Sequence, residues 1–215
     1  QFIDFDETLG DRSENVFSFT HPGIKTKGTH KLKVRVVADE DVNPANDATE
    51  CNVMMTSVAI TKRVLMEEAT GIYCGNCPRG IVSIEKCKEK YPDNFIAIAK
   101  HGYTGTPKEL LCPSYEYADW GVYPQAAVDR RTKFDPDVST TFLCVETFLN
   151  NFPTIAGIET QANYVAGDYT RINVNTNVQF VKDMTNCSFG IAYAIIEDGV
   201  TGYKQNNGYA GGKHG

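Results

Sequence analysis

Two cysteines, Cys74 and Cys77, separated only by Gly75 and Asn76, are the residues whose type and spacing point most directly to chemistry. With two residues between them the second thiol lies one helical turn beyond the first, close enough to close a disulfide or to attack a mixed one. Pro78 follows directly. Its missing N–H and preset φ suit the first turn of a helix, so the pair is expected at a helix N-terminus. Unpaired backbone N–H groups and the positive end of the helix dipole favour thiolate there. Cys74 is then the nucleophile and Cys77 the resolving thiol. Two other uses compete. A zinc site needs further ligands, but no second Cys-X-X-Cys or His-X-X-X-His occurs, and His21, His30, His101 and His214 stand far apart. An inert structural disulfide is compatible with an exported protein.

The elements that must position this pair can be read around it. Residues 64–66 are apolar with a β-branched start and read as a buried strand; a loop at 70–73 leads into the cysteines. In the following helix Ile81, Ile84 and Cys87 recur at spacings of three and define an apolar face, while Arg79, Lys86, Glu89 and Lys90 are expected in water. NFIAIAK at 94–100 gives a second strand ending at His101, a histidine that could tune the thiolate or simply cap a surface loop. A helical segment is expected between 108 and 120. Pro124 then opens an apolar strand where it would spoil a central ladder. A cis peptide bond would account for it, although base rates favour trans. Residues 135–151 read as a helix with Phe142, Val145, Phe148 and Leu149 on one face, ended by Pro153.

Outside this middle the pattern is β. Residues 16–20 and 31–36 alternate apolar and polar, an acidic turn with Asn43-Pro44 follows, and another strand begins at Cys51. Residues 158–165, 170–181 and 187–196 are three further alternating stretches, and the tail from Gln205 is Gly-rich and patternless, expected to be mobile or truncated. The Gly28-X-His-X-Leu-X-Val strand and the Asn-Asp pair before a last strand resemble the closing half of an immunoglobulin-like sandwich. Three domains result: 1–56, the C-terminal part of such a sandwich; 57–152, an α/β domain; and 153–215, an antiparallel β domain.

Composition narrows the function classes. A net charge of −6 and no Lys/Arg cluster disfavour nucleic acid and acidic membranes. No apolar run approaches a membrane span. The chain starts at Gln1, compatible with a processed protein whose export signal or lipid anchor lies outside it. Seven cysteines favour an oxidising, extracytoplasmic compartment, and an odd number leaves at least one thiol free or paired between chains. The acidic turn at 39–41 reads as a solvated loop rather than a Ca²⁺ site.

Strand, Cys-X-X-Cys-Pro helix, strand, helix, Pro-initiated strand and helix, in that order from Lys62 to Asn151, resemble a thioredoxin-like domain. The resemblance implies an α/β thioredoxin-like fold flanked by antiparallel sandwich-type β segments. It also implies a cis Pro124 lying against the disulfide, Tyr123 as the variable residue before it, and a buried carboxylate six residues before the first cysteine. That position holds Glu68 where the family commonly has Asp, and adjacent Glu67 leaves open which of the two points inward. A buried carboxyl has a raised pKa and can relay a proton to Cys77. Tyr73 replaces the usual tryptophan, Gly-Asn replaces Gly-Pro, and the short hairpin expected after the proline strand is not evident beyond Arg131. More loosely, the Glu67-to-Gly71 run, Asn76-Cys77-Pro78 and the Ile196-Glu-Asp-Gly-Val segment resemble the outer-membrane-related thioredoxin-like lipoproteins of Bacteroides-type bacteria.

The expected function is an exported thiol–disulfide oxidoreductase acting on protein thiols and disulfides. Cys74, Cys77, Pro124 and Glu68 carry the chemistry, Tyr73 and Tyr123 line the substrate groove, and no metal or cofactor is required. The direction of electron flow is open. The alternative is a cell-surface binding or adhesion protein in which the thioredoxin-like domain serves as a scaffold, since one fold hosts many functions.

Overall fold

The computed structural model describes residues 23–37, 41–56, 58–111 and 120–209. The chain divides into two compact units, Gln1–Val58 and Ala59–Gly215. In the first unit, β1 (Gly28–Arg35) and β2 (Ala48–Met55) form an antiparallel hairpin, with Lys31 and Lys33 facing Glu50 across it at 2.8 and 3.6 Å. The alternating stretch at 16–20 lies outside the described residues, as do residues 38–40 at the start of the acidic turn.

The second unit is built on a four-stranded mixed sheet. Its strands are β3 (Val64–Thr70), β4 (Phe95–His101), β5 (Gln125–Val128) and β6 (Thr132–Phe134), in the order β4-β3-β5-β6. The β3–β4 pair is parallel, whereas β5 and β6 run antiparallel to their neighbours. Helix α1 (Pro78–Lys90) makes the crossover between β3 and β4, as a parallel pair requires. Helix α2 (Val138–Asn151) starts at Asp137, whose carboxylate accepts the Thr140 N–H at 2.8 Å.

Side-chain alternation along β3 sets the two faces of this sheet. Val64 and Met66 join Phe95, Ala126, Val128, Cys87 of α1, and Val145 and Phe148 of α2 in one core, so both helices cover the same face. Ala69 and Ala127 face the other way, with Trp120 and Tyr123 packed on them. Both faces of β3 are thereby covered, which explains its nearly continuous burial.

The short β5–β6 hairpin was not evident in the sequence. Its turn uses Asp129 and Arg130, both at positive φ (44° and 55°), instead of the expected glycine or asparagine. The Asp129 carboxylate stabilises the turn from outside the hairpin, accepting the Leu65 N–H at 2.8 Å and the Lys62 ammonium at 3.1 Å.

On α1 the expected face holds at Cys87, which is buried, and at Ile84, which packs against the core, but not at Ile81. The buried residues of the helix are Pro78, Gly80, Ser83 and Cys87, while Ile81 is 37% exposed. The helix lies too close to β3 at Gly80 to admit a side chain there. Between 108 and 120 the described part holds one 3₁₀ turn at Lys108–Leu110; residues 112–119 lie outside the described residues.

Beyond α2, β7 (Ala156–Val165) and β8 (Asp168–Phe180) form a long hairpin around Gly167 at φ 77°. The third alternating stretch, 187–196, forms no strand. It touches its surroundings through side chains instead: Phe189 lies against Phe180, with centroids 4.9 Å apart, and the Tyr193 hydroxyl is 2.8 Å from the Thr176 hydroxyl. Alternation fits a strand, but without a neighbouring backbone edge in register it does not make one.

Candidate functional site

The site forms where β3 ends and α1 begins. Beyond Thr70 the chain turns sharply, with the Cys74 N–H donating to Gly71 O at 3.0 Å and the Cys77 N–H to Cys74 O at 3.2 Å. The two sulfurs are joined as a disulfide, S–S 2.10 Å, with Cα atoms 5.4 Å apart. Cys77 caps α1, accepting the Gly80 N–H at 3.0 Å, and Pro78 occupies the first turn. Both cysteines are buried, Cys74 at 3% exposure and Cys77 at 0%.

Glu67 and Glu68 are both buried, on opposite faces of the sheet. Glu67 faces away from the helices and is held by Arg130 from the hairpin turn, whose Nε and Nη2 donate to its two oxygens at 2.8 to 3.1 Å. Glu68 lies on the helix face, in the row of Val64 and Met66. Neither of its oxygens has a hydrogen-bond partner. A Cβ on Gly80 would stand 1.8 Å from Glu68 Oε1, so the carboxyl occupies the space a side chain would need in the first turn of α1. Burial pushes this carboxyl up to about 8 from its ordinary 4.5, keeping it largely protonated at neutral pH.

Pro124 and Tyr123 stand at the same end of the sheet. The register pairs Ala69 with Gln125 and Thr70 with His101, so the start of β5, the end of β3 and the end of β4 are level. The Tyr123–Pro124 peptide bond is cis and Pro124 is buried. The Tyr123 ring meets Tyr103 edge to face at 5.5 Å, and its hydroxyl fills the space beside Gly102. Tyr73 is half exposed, its ring against Gly105. Tyr103 and the 102–106 turn thus join the two tyrosines singled out from the sequence. A Tyr-Thr-Gly-Thr run just past a strand end carried that information as a turn signal. His101 is half-buried and burial lowers its pKa, favouring the neutral imidazole.

A second group of residues at the site had no sequence signal. Gln205, Asn206 and Gly208, from the tail expected to be mobile, lie along the cysteine loop. The Asn206 N–H donates to Ile72 O at 2.6 Å and the Gly208 N–H to Gly75 O at 2.8 Å. Side-chain amides from Gln205 and Asn206 reach Cys74 O and Tyr73 O at 3.1 and 3.4 Å.

The remaining described cysteines stay apart from this chemistry. Burial pushes the Cys87 thiol up to about 12 and also raises that of Cys144, so both remain protonated; Cys51 and Cys187 are exposed thiols. Cys112 lies outside the described residues. Among the described residues no cluster of three His, Cys, Asp or Glu side chains is placed to hold a metal ion, and no helix is long and apolar enough to cross a membrane.

No family model and no curated protein matches the chain. A solved structure, the X-ray crystal structure of a protein from Agrobacterium tumefaciens, is similar over 51% of this chain at 18% identity with a TM-score of 0.38. The match spans 55% of that protein's length. A likeness this remote bears on neither fold nor function.

Proposed function

We propose that this chain is an exported thiol–disulfide oxidoreductase acting on protein thiols and disulfides through Cys74 and Cys77, on a thioredoxin-like domain. One observation carries the reading: a disulfide at the start of α1 has a buried, unpartnered carboxyl, Glu68, packed beneath the same helical turn. A structural disulfide has no use for such a group, whose burial is unfavourable unless it is neutral. A thiol pair that gains and loses protons does. Perturbed titratable groups concentrate at working sites for this reason.

A client thiolate attacks Cys74 Sγ, the Cys74–Cys77 bond breaks, and its electron pair leaves on Cys77 Sγ, which takes a proton from the Glu68 carboxyl. A second client thiolate attacks the client sulfur of the mixed disulfide, forming the client's disulfide and releasing Cys74 as thiolate. Two electrons pass from client to chain. Run backwards, the same steps reduce a client disulfide, with Glu68 as the base that deprotonates Cys77. A second thiol–disulfide couple then resets the pair. The disulfide and the cysteine content support an extracytoplasmic location, in the periplasm or at the outer surface.

One observation favours a second reading, a surface-binding protein with this domain as scaffold: both cysteines are almost fully buried. The test separates the two. Cys77→Ser, mixed in reduced form with an unfolded polypeptide carrying one disulfide, is expected to accumulate a mixed disulfide on Cys74 that dithiothreitol reverses. The Cys74→Ser/Cys77→Ser double variant should show none. Absence of the adduct from Cys77→Ser would contradict the oxidoreductase reading.

A further inference from the structure

The loop that carries the cysteines presents a row of backbone carbonyls, and the chain's own tail fills it. Gly71 O, Ile72 O, Tyr73 O, Cys74 O and Gly75 O each accept a donor from residues 205–208. Two are main-chain bonds, Asn206 N–H to Ile72 O at 2.6 Å and Gly208 N–H to Gly75 O at 2.8 Å. The other three come from side-chain amides, with Gln205 Nε2 shared between Gly71 O and Cys74 O at 3.3 and 3.1 Å. Donors two residues apart meet acceptors three apart, so the tail follows a turning loop, and main-chain N–H groups supply part of the recognition, as they do when one polypeptide docks on another's backbone.

The approach is close because both backbones are bare. A Cβ on Gly208 would lie 3.1 Å from Gly75 O, and a Cβ on Gly75 would lie 3.5 Å from Gly208 N. The tail reaches this place beside β4, where residues 194–200 and Tyr203 wall a groove of about 510 Å³ against Ala97, Ala99 and His101. Cys74 is 3% exposed, and the tail lies along its loop through a bond to Cys74 O. A client thiolate needs an open line to Cys74 Sγ.

We propose that the carbonyl row of residues 71–75 is the docking site for an extended client polypeptide, and that residues 205–208 are an internal occupant which the client displaces. This rests on the oxidoreductase reading. The donors that recognise the row are main-chain N–H groups and flexible amides, so the site is tolerant of client sequence. It demands a small residue only where Gly208 meets Gly75.

The experiment follows reduction of the Cys74–Cys77 disulfide by an unstructured peptide bearing one cysteine, in the parent chain and in two variants. Asn206→Pro removes the N–H that bonds Ile72 O and the side-chain amide that reaches Tyr73 O; Gly208→Val sets a Cβ 3.1 Å from Gly75 O, with its methyls crowding the same contact. Each is expected to be reduced about tenfold faster than the parent, the change that loss of one or two such hydrogen bonds gives. A synthetic peptide with the sequence of residues 203–209, added in millimolar excess, should return the rate toward that of the parent. Rates within about twofold of the parent, or an acceleration the peptide does not reverse, would overturn the proposal. The midpoint potential of the same samples keeps the two readings apart. Unchanged rates with a potential in the working range defeat the docking site alone. Faster, peptide-reversible rates with a potential far below that range leave the docking site standing and defeat the oxidoreductase.

Discussion

Glu68 is the residue on which the chemistry turns, and its neighbour Glu67 shows why. Two adjacent carboxylates on one strand point to opposite faces; one meets Arg130, the other meets no donor, and only the second sits with α1. A carboxyl held at about 8 keeps its proton between pH 4.5 and 8, where the unfolded chain has lost it. Unfolding therefore releases a proton in this window, and stability falls as pH rises through it, with the full cost present above pH 8. The shift corresponds to roughly 5 kcal/mol. Glu68→Gln removes the titration, so urea unfolding of the disulfide form should give a flatter profile, with the variant more stable than the parent by several kcal/mol at pH 9 and little different at pH 5. Parallel profiles would show that Glu68 ionises in the folded chain as it does in water. The resemblance to a thioredoxin-like domain pointed to Glu68 but left open which of Glu67 and Glu68 points inward; the guanidinium that decides it for Glu67 comes from 63 positions away and leaves no local trace.

At the scale of elements, the close packing of α1 on β3 sets where this carboxyl can be. Gly80 in the first turn is the point of contact. In an exposed helix Gly→Ala would stabilise by about 1 kcal/mol. Here the new methyl would lie 1.8 Å from Glu68 Oε1, so Gly80→Ala is expected to destabilise by roughly 1–3 kcal/mol. In a Glu68→Ala background the same change should become neutral or stabilising. Chemical denaturation of the four proteins gives the coupling; equal effects of Gly80→Ala in both backgrounds would contradict the contact. Periodicity alone put Ile81 on the buried face because it weighs apolarity, whereas the helix is placed by what can be absent at Gly80. The β5–β6 turn escaped for a similar reason. Asp129 and Arg130 adopt positive φ because partners elsewhere, Leu65, Lys62 and Glu67, hold their side chains. Residues 187–196 show the opposite case: their alternation is real, but no strand edge receives it.

For the whole molecule, the parts that local pattern governs were legible: the cysteine pair, the helix that starts at Pro78, the strands on either side of it and the hairpins outside. What joins distant segments was not, above all the tail that returns to residues 71–75 from more than 130 positions away. A Gly-rich segment without periodicity carries no sign of a partner when the recognition is made through main-chain N–H groups. One property of the molecule is decisive for its function: whether the Cys74–Cys77 disulfide exchanges under physiological redox conditions. Equilibrating the chain in graded thiol/disulfide buffers and counting modified cysteines by mass spectrometry measures it. The expected midpoint lies between roughly −120 and −270 mV, among working oxidoreductases. A disulfide that stays closed below about −300 mV would be structural, and would contradict the oxidoreductase reading.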